Sequence, residues 1–69
     1  MNKEPLTKTQ EKTLNAIKKF HQKNGYMPTY QELAEILEQR PSSIFLTIRR
    51  IAAKGWIQQD RRPRMIKIL

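Results

Sequence analysis

The sequence predicts a small, mainly α-helical fold: three helices closed by a short β-hairpin. Three observations predict it. Thr7-x-x-Gln10 and Thr29-x-x-Glu32 each precede an apolar stripe at helical spacing, and a Thr followed three residues later by Gln or Glu can close a helix N-terminus from both sides. A third helical stripe follows Pro41 and stops at Gly55. The residues from Trp56 onward are apolar or β-branched on either side of a polar turn containing Pro63. At about 50–200 residues per domain, 69 residues make one, and the expected domain is 1–69.

The first helix is expected over about 8–23. Leu14, Ile17 and Phe20 or His21 recur at its spacing, and Asn24-Gly25 ends it because both residues tolerate the left-handed conformation. Tyr26-Met27-Pro28 is an extended connector, since a residue before proline avoids helical angles. The second helix, about 30–38, carries Leu33, Ile36 and Leu37, with Pro28 and Leu33 at the staple positions around its cap. Gln39-Arg40-Pro41 breaks the chain briefly. Ser42 is expected to cap the third helix, about 42–54, which buries Ile44, Ile48, Ile51 and Ala52. The hairpin is expected over about 56–69, starting at Trp56, with Ile66 and Ile68 on one side and Met65, Lys67 and Leu69 on the other.

Composition excludes several function classes. With no cysteine and one histidine, His21, neither a disulfide framework nor a thiolate or His-based metal site is expected, and no cofactor. Apolar runs reach only three residues, as at Ile44 to Leu46, so no membrane span is expected, and the polar start is no signal peptide. A cytoplasmic, nucleoid-associated location is expected. No catalytic set is found: Glu32 is accounted for by capping, Glu35 and Glu38 by solvation, and two glycines make no phosphate-cradling loop.

The net charge of +8 is unevenly placed. Residues 1–39 carry six lysines against five glutamates. Residues 40–69 carry Arg40, Arg49, Arg50, Lys54, Arg61, Arg62, Arg64 and Lys67 against Asp60 alone. This segregation points to a polyanionic partner met by the C-terminal half, and nucleic acid is the expected one.

Two short helices joined by a tight turn, the second basic and followed by a basic hairpin, form a winged helix-turn-helix pattern. A major groove about 12 Å wide accepts one helix, whose outer face must offer side chains to base edges. Projected at about 100° per residue, the third helix turns Ser42, Ser43, Leu46, Arg49, Arg50 and Ala53 away from its buried side, with Phe45 and Thr47 at the flanks. Leu46 is read as exposed, where it would pack on a thymine methyl. Ser42 and Ser43 would bond base edges or phosphates, and Arg49 guanine or backbone. For Phe45 a core place and an interface place both stay open. Arg61, Arg62 and Arg64 would grip phosphates or the minor groove from the hairpin tip, while Asp60 and Pro63 shape the turn. Trp56 is read as a core anchor and His21 as a surface or core-edge residue. Tyr30, Gln31 and Lys54 lie near helix ends, where backbone contact is expected. The expected function is a double-stranded DNA-binding transcriptional regulator, a monomer alone that pairs on a palindromic site. The alternatives are a protein-interaction winged helix using Phe45 and Leu46, or a binder of RNA or replication origins.

Leu6-Thr7-x-x-Gln10, Leu14, Ile17 and Gly25-x-x-Pro28-Thr29-x-x-Glu32-Leu33-Ala34 together resemble the N-terminal DNA-binding domain of the LexA repressor family. The resemblance continues through Ser43, Ile48, Ile51, Lys54-Gly55-x-Ile57 and Arg64-x-Ile66-x-Ile68-Leu69. It implies three helices, a two- or three-stranded wing, and repression through palindromic operators bound as a dimer. Two departures stand out. The stretch between Leu37 and Ser42 is one residue shorter than the family's, and Glu38 stands where a glycine is usual after helix two. Carried over by position, the operator-reading residues are Ser42, Ser43, Phe45 and Leu46, where the family commonly has Asn, Ala and two Glu, so a different operator is expected. The family's C-terminal domain, which dimerises the repressor and carries a Ser–Lys dyad for self-cleavage, is not among these residues. The chain reads as an excised domain or a small stand-alone protein, with self-cleavage excluded as its switch.

Overall fold

In the computed structural model, residues 3–59 and 66–69 are described. Helix α1 spans Lys8–Asn24, α2 Tyr30–Leu37 and α3 Pro41–Ala53; strands β1, Ile57–Gln59, and β2, Ile66–Ile68, pair antiparallel. Both expected capping boxes are present. The Gln10 amide N–H donates to Thr7 Oγ1 and the Thr7 N–H to Gln10 Oε1, each at 3.2 Å. Around α2 the same exchange joins Thr29 and Glu32 at 3.1 and 2.8 Å. These reciprocal bonds satisfy amides that a helix start leaves without an intrahelical partner. At its far end α1 stops on Gly25 (φ 79°), whose N–H donates to the His21 carbonyl.

Helix α2 is one residue shorter than expected because Glu38 itself turns left-handed (φ 54°, ψ 44°) and becomes its C-cap. The third helix departs more. Its N-cap is Arg40, not Ser42, no side-chain hydrogen bond closes its start, and Pro41 occupies the first turn. Proline favours that position: its ring presets the helical φ, and the N–H it lacks would have had no intrahelical acceptor. The helix ends at Ala53, with Lys54 as its C-cap.

The core is built by all five elements: Leu14 and Ile17 from α1, Leu33 and Ala34 from α2, Ile44, Ile48 and Ile51 from α3, Ile57 from β1 and Ile66 from β2. Full burial of an isoleucine is worth roughly 1.5–3 kcal/mol, so the α3 stripe anchors the helix while leaving its other face to solvent. Ala52, expected on the buried side, is half-buried against this core. Two buried polar residues are satisfied: Thr13 Oγ1 donates to the Thr9 carbonyl at 3.0 Å, and Gln10 Oε1 also accepts from Lys54 Nζ.

The hairpin pairs Ile57 with Ile68, Gln58 with Lys67 and Gln59 with Ile66. Trp56 lies just before β1 rather than in it, half-buried against the core. Ile66 and Ile68 turn inward and Lys67 and Leu69 outward, as their alternation predicts. The residues ahead of α1 strap the joint between α3 and β1. The Glu4 N–H donates to the Lys54 carbonyl at 3.0 Å, Trp56 Nε1 donates to the Glu4 carbonyl at 2.6 Å, and the Lys3 ammonium sits 4.8 Å from the Trp56 ring centre. The whole is a small winged helix-turn-helix.

Candidate nucleic-acid interface

Burying Ile44, Ile48 and Ile51 turns Ser42, Ser43, Phe45, Leu46, Arg49 and Arg50 outward, and all six are exposed. Leu46 is 50% and Phe45 43% exposed, large values for apolar side chains on a helix whose other face is closed. The Phe45 ring is not loose. It meets Tyr30 edge-on, with centroids 5.6 Å apart and planes at 85°. Tyr30 in turn accepts a hydrogen bond at its hydroxyl from Gln59 Nε2 at 2.7 Å. One half-buried tyrosine on α2 therefore touches both α3 and the end of β1. Thr47 Oγ1 donates to the Ser43 carbonyl at 3.0 Å, which leaves the Ser43 hydroxyl outside that bond.

The start of α3 differs from those of its neighbours. Capping boxes bond the third amides of α1 and α2, at Gln10 and Glu32, whereas α3 has no side-chain cap and presents its positive dipole end beside Ser42 and Ser43. Two expected residues lie apart from this face. Lys54 is half-buried with its ammonium on Gln10, and Gln31 is exposed on α2. Arg61, Arg62 and Arg64, with Asp60 and Pro63, lie outside the described residues. His21 is exposed on α1. Among the described residues no three His, Cys, Asp or Glu side chains gather as metal ligands, and no helix is long and apolar enough to cross a membrane.

The place of Tyr30 between α3 and the hairpin was not legible from sequence, because its partners are remote in the chain. Arg40 as cap was legible: the preference of proline for the first helical turn puts the cap one residue before Pro41.

A helix seated on its isoleucines, with a cation-bearing outer face and a short hairpin behind it, defines the winged helix-turn-helix class of domain. The LexA DNA binding domain family matches residues 3–65. The LexA repressor of Thermotoga maritima is 34% identical over 64 residues, covering 91% of this chain and 32% of that protein. The LexA repressor of Caldicellulosiruptor saccharolyticus is 36% identical over 69 residues, 97% of this chain and 34% of that protein. That of Thermobifida fusca is 32% identical over 65 residues, 91% and 26%. The chain belongs to the LexA DNA-binding domain family, and it spans about a third or less of the length of these curated relatives.

Proposed function

We propose that this chain binds double-stranded DNA sequence-specifically and represses transcription, with α3 in the major groove. The observation that carries the reading is the outward face of α3, where Leu46 and Phe45 stand exposed between serines and arginines on a helix otherwise sealed by isoleucine. A leucine there is a liability in water and an asset against a thymine methyl. Arg49 reads guanine or grips phosphate, and the uncapped start of α3 lays its positive end beside a phosphate. Family membership and the charge excess of residues 40–69 support the same reading. Arg61, Arg62 and Arg64 hold the neighbouring backbone or minor groove, and Lys54 adds long-range charge. The protein acts as a monomer in solution that pairs on a palindromic operator, inside the cell at the nucleoid. No catalytic residue enters this reading.

Selection from a pool of random duplexes tests it. A palindromic consensus that the protein retains in binding assays is the expected result. Failure of any sequence to enrich over the starting pool overturns sequence-specific binding, and an enriched single half-site overturns pairing.

A further inference from the structure

A groove runs between α1 and α2 that the DNA-binding reading does not use. Its described lining comes from those two helices, with no described residue of α3 or the hairpin. Ala16, Phe20, Ile36 and Leu37 make its floor. Ile36 is 51% exposed, because α2 reaches the core through Leu33 and Ala34 and leaves Ile36 on its flank. Lysines border this floor: Lys8, Lys12, Lys19 and Lys23, against Glu11 as the one acid among its described lining residues. Their spacing of four, seven and four residues keeps them on one stripe of α1, about 22 Å long at about 1.5 Å per residue. Glu35 on α2 and Glu38 at its C-cap are exposed but do not line the groove.

Each simple occupant fails on one count. A second copy of the chain would set one lysine stripe against another. A nucleic-acid backbone would satisfy the lysines and leave Ile36 and Phe20 uncovered. The volume, about 880 Å³, is within the range of small-molecule pockets, but the groove follows a helix for most of its length, which suits an elongated segment. An apolar floor bordered by four lysines and a single glutamate complements a helix that presents an apolar stripe flanked by carboxylates.

We propose that the α1–α2 groove docks an acidic amphipathic helix of a partner protein. The proposal does not rest on the DNA-binding reading, since none of its residues belongs to that face. Like charges four apart, as at Lys8/Lys12 and Lys19/Lys23, work against the helix that carries them, and carboxylates in the groove would relieve that repulsion.

Selection of a displayed library of random 16-residue peptides against the full chain tests this. The expected winners carry apolar residues three and four apart and net negative charge. Their affinity falls at least tenfold in Ile36→Lys, and about tenfold in Lys12→Glu/Lys19→Glu, with the second loss shrinking at high salt. Circular dichroism of both variants reports whether α1 and α2 are kept, and the two substitutions lie on different helices, so a fold defect in one leaves the other to decide. Failure to enrich any peptide, winners without acidic bias, or winners indifferent to both variants overturn the proposal. So does self-association that Ile36→Lys abolishes, or duplex DNA that shifts the amide resonances of Phe20 and Ile36 rather than those of α3.

Discussion

The hydroxyl of Tyr30 accepts a hydrogen bond from the side-chain amide of Gln59 at 2.7 Å, tying the first turn of α2 to the end of β1. The edge-to-face contact with Phe45 joins the same ring to α3. Tyr30→Phe keeps the ring and removes the acceptor. Its expected cost is about 0.5–1.5 kcal/mol, measured by thermal denaturation. In a double-mutant cycle with Gln59→Ala the two losses should couple by most of that amount, because they break one bond. Additive losses would show that the bond contributes nothing in solution.

Glu38 holds a left-handed conformation that costs a side-chain-bearing residue roughly 1–2 kcal/mol, and its carboxylate stands at the negative end of α2. Glu38→Gly relieves both, offset by the greater freedom of glycine in the unfolded chain. A net stabilisation of about 0.5–1 kcal/mol is expected from the denaturation midpoint. Gly25→Ala is the converse. Its chain neighbours aside, a Cβ at Gly25 would meet no atom of the described residues within 4 Å, so any loss, about 1 kcal/mol, reports backbone conformation.

The helix starts separate stability from binding. Thr7→Ala and Thr29→Ala each remove a capping bond and should cost about 1 kcal/mol. Ser42→Ala should leave the melting temperature nearly unchanged, since Arg40 and not Ser42 caps α3, yet weaken binding to the selected duplex. A drop in stability as large as that of Thr29→Ala would return the cap to Ser42.

On DNA, Arg49→Ala should relax the preference at one base position at a cost of about 1–3 kcal/mol, whereas Arg62→Ala should weaken all duplexes alike. With 6–8 phosphates neutralised, the logarithm of the binding constant should fall with that of salt at a slope of about −5 to −7. A slope near zero would remove the electrostatic basis of the reading. Replacing thymine by uracil in the selected site should weaken the protein but not Leu46→Ala, if Leu46 covers the methyl.

Ile17 and Ile48, both fully buried, anchor the core from α1 and α3. Truncating either to alanine should cost about 2–5 kcal/mol. At roughly 0.05–0.15 kcal/mol per residue for a folded domain, that is a large share of the stability of 69 residues. Ile36→Ala, half exposed, should cost far less in the same melt.

What could be read in advance was local. Thr7 with Gln10 and Thr29 with Glu32 meet three residues apart, so a pattern in the chain is also a bond in the fold. The isoleucine stripe of α3 likewise follows from the helical period, and with it the outward direction of Leu46 and Arg49. Ser42 was misread as a cap because serine favours that place, while Pro41 favours the first turn and prevailed. The contacts of Tyr30 with Gln59 and of Lys54 with Gln10 span 29 and 44 residues. No periodicity encodes them, since they exist only once the helices have packed.

The strap formed by residues 3–6 bears on how the proposed DNA binding would choose among duplexes. Glu4 is bonded on both sides of the joint between α3 and β1, to Lys54 before it and through its carbonyl to Trp56 after it. Bonds on both sides restrain this joint, so on the DNA-binding proposal α3 and β1 would meet a duplex as a ruler of nearly set length. A binding site that does not match this ruler must bend to meet it, and the energy of bending depends on its base steps. On that proposal, restraint in the protein would become selection among DNA sequences at positions no side chain touches.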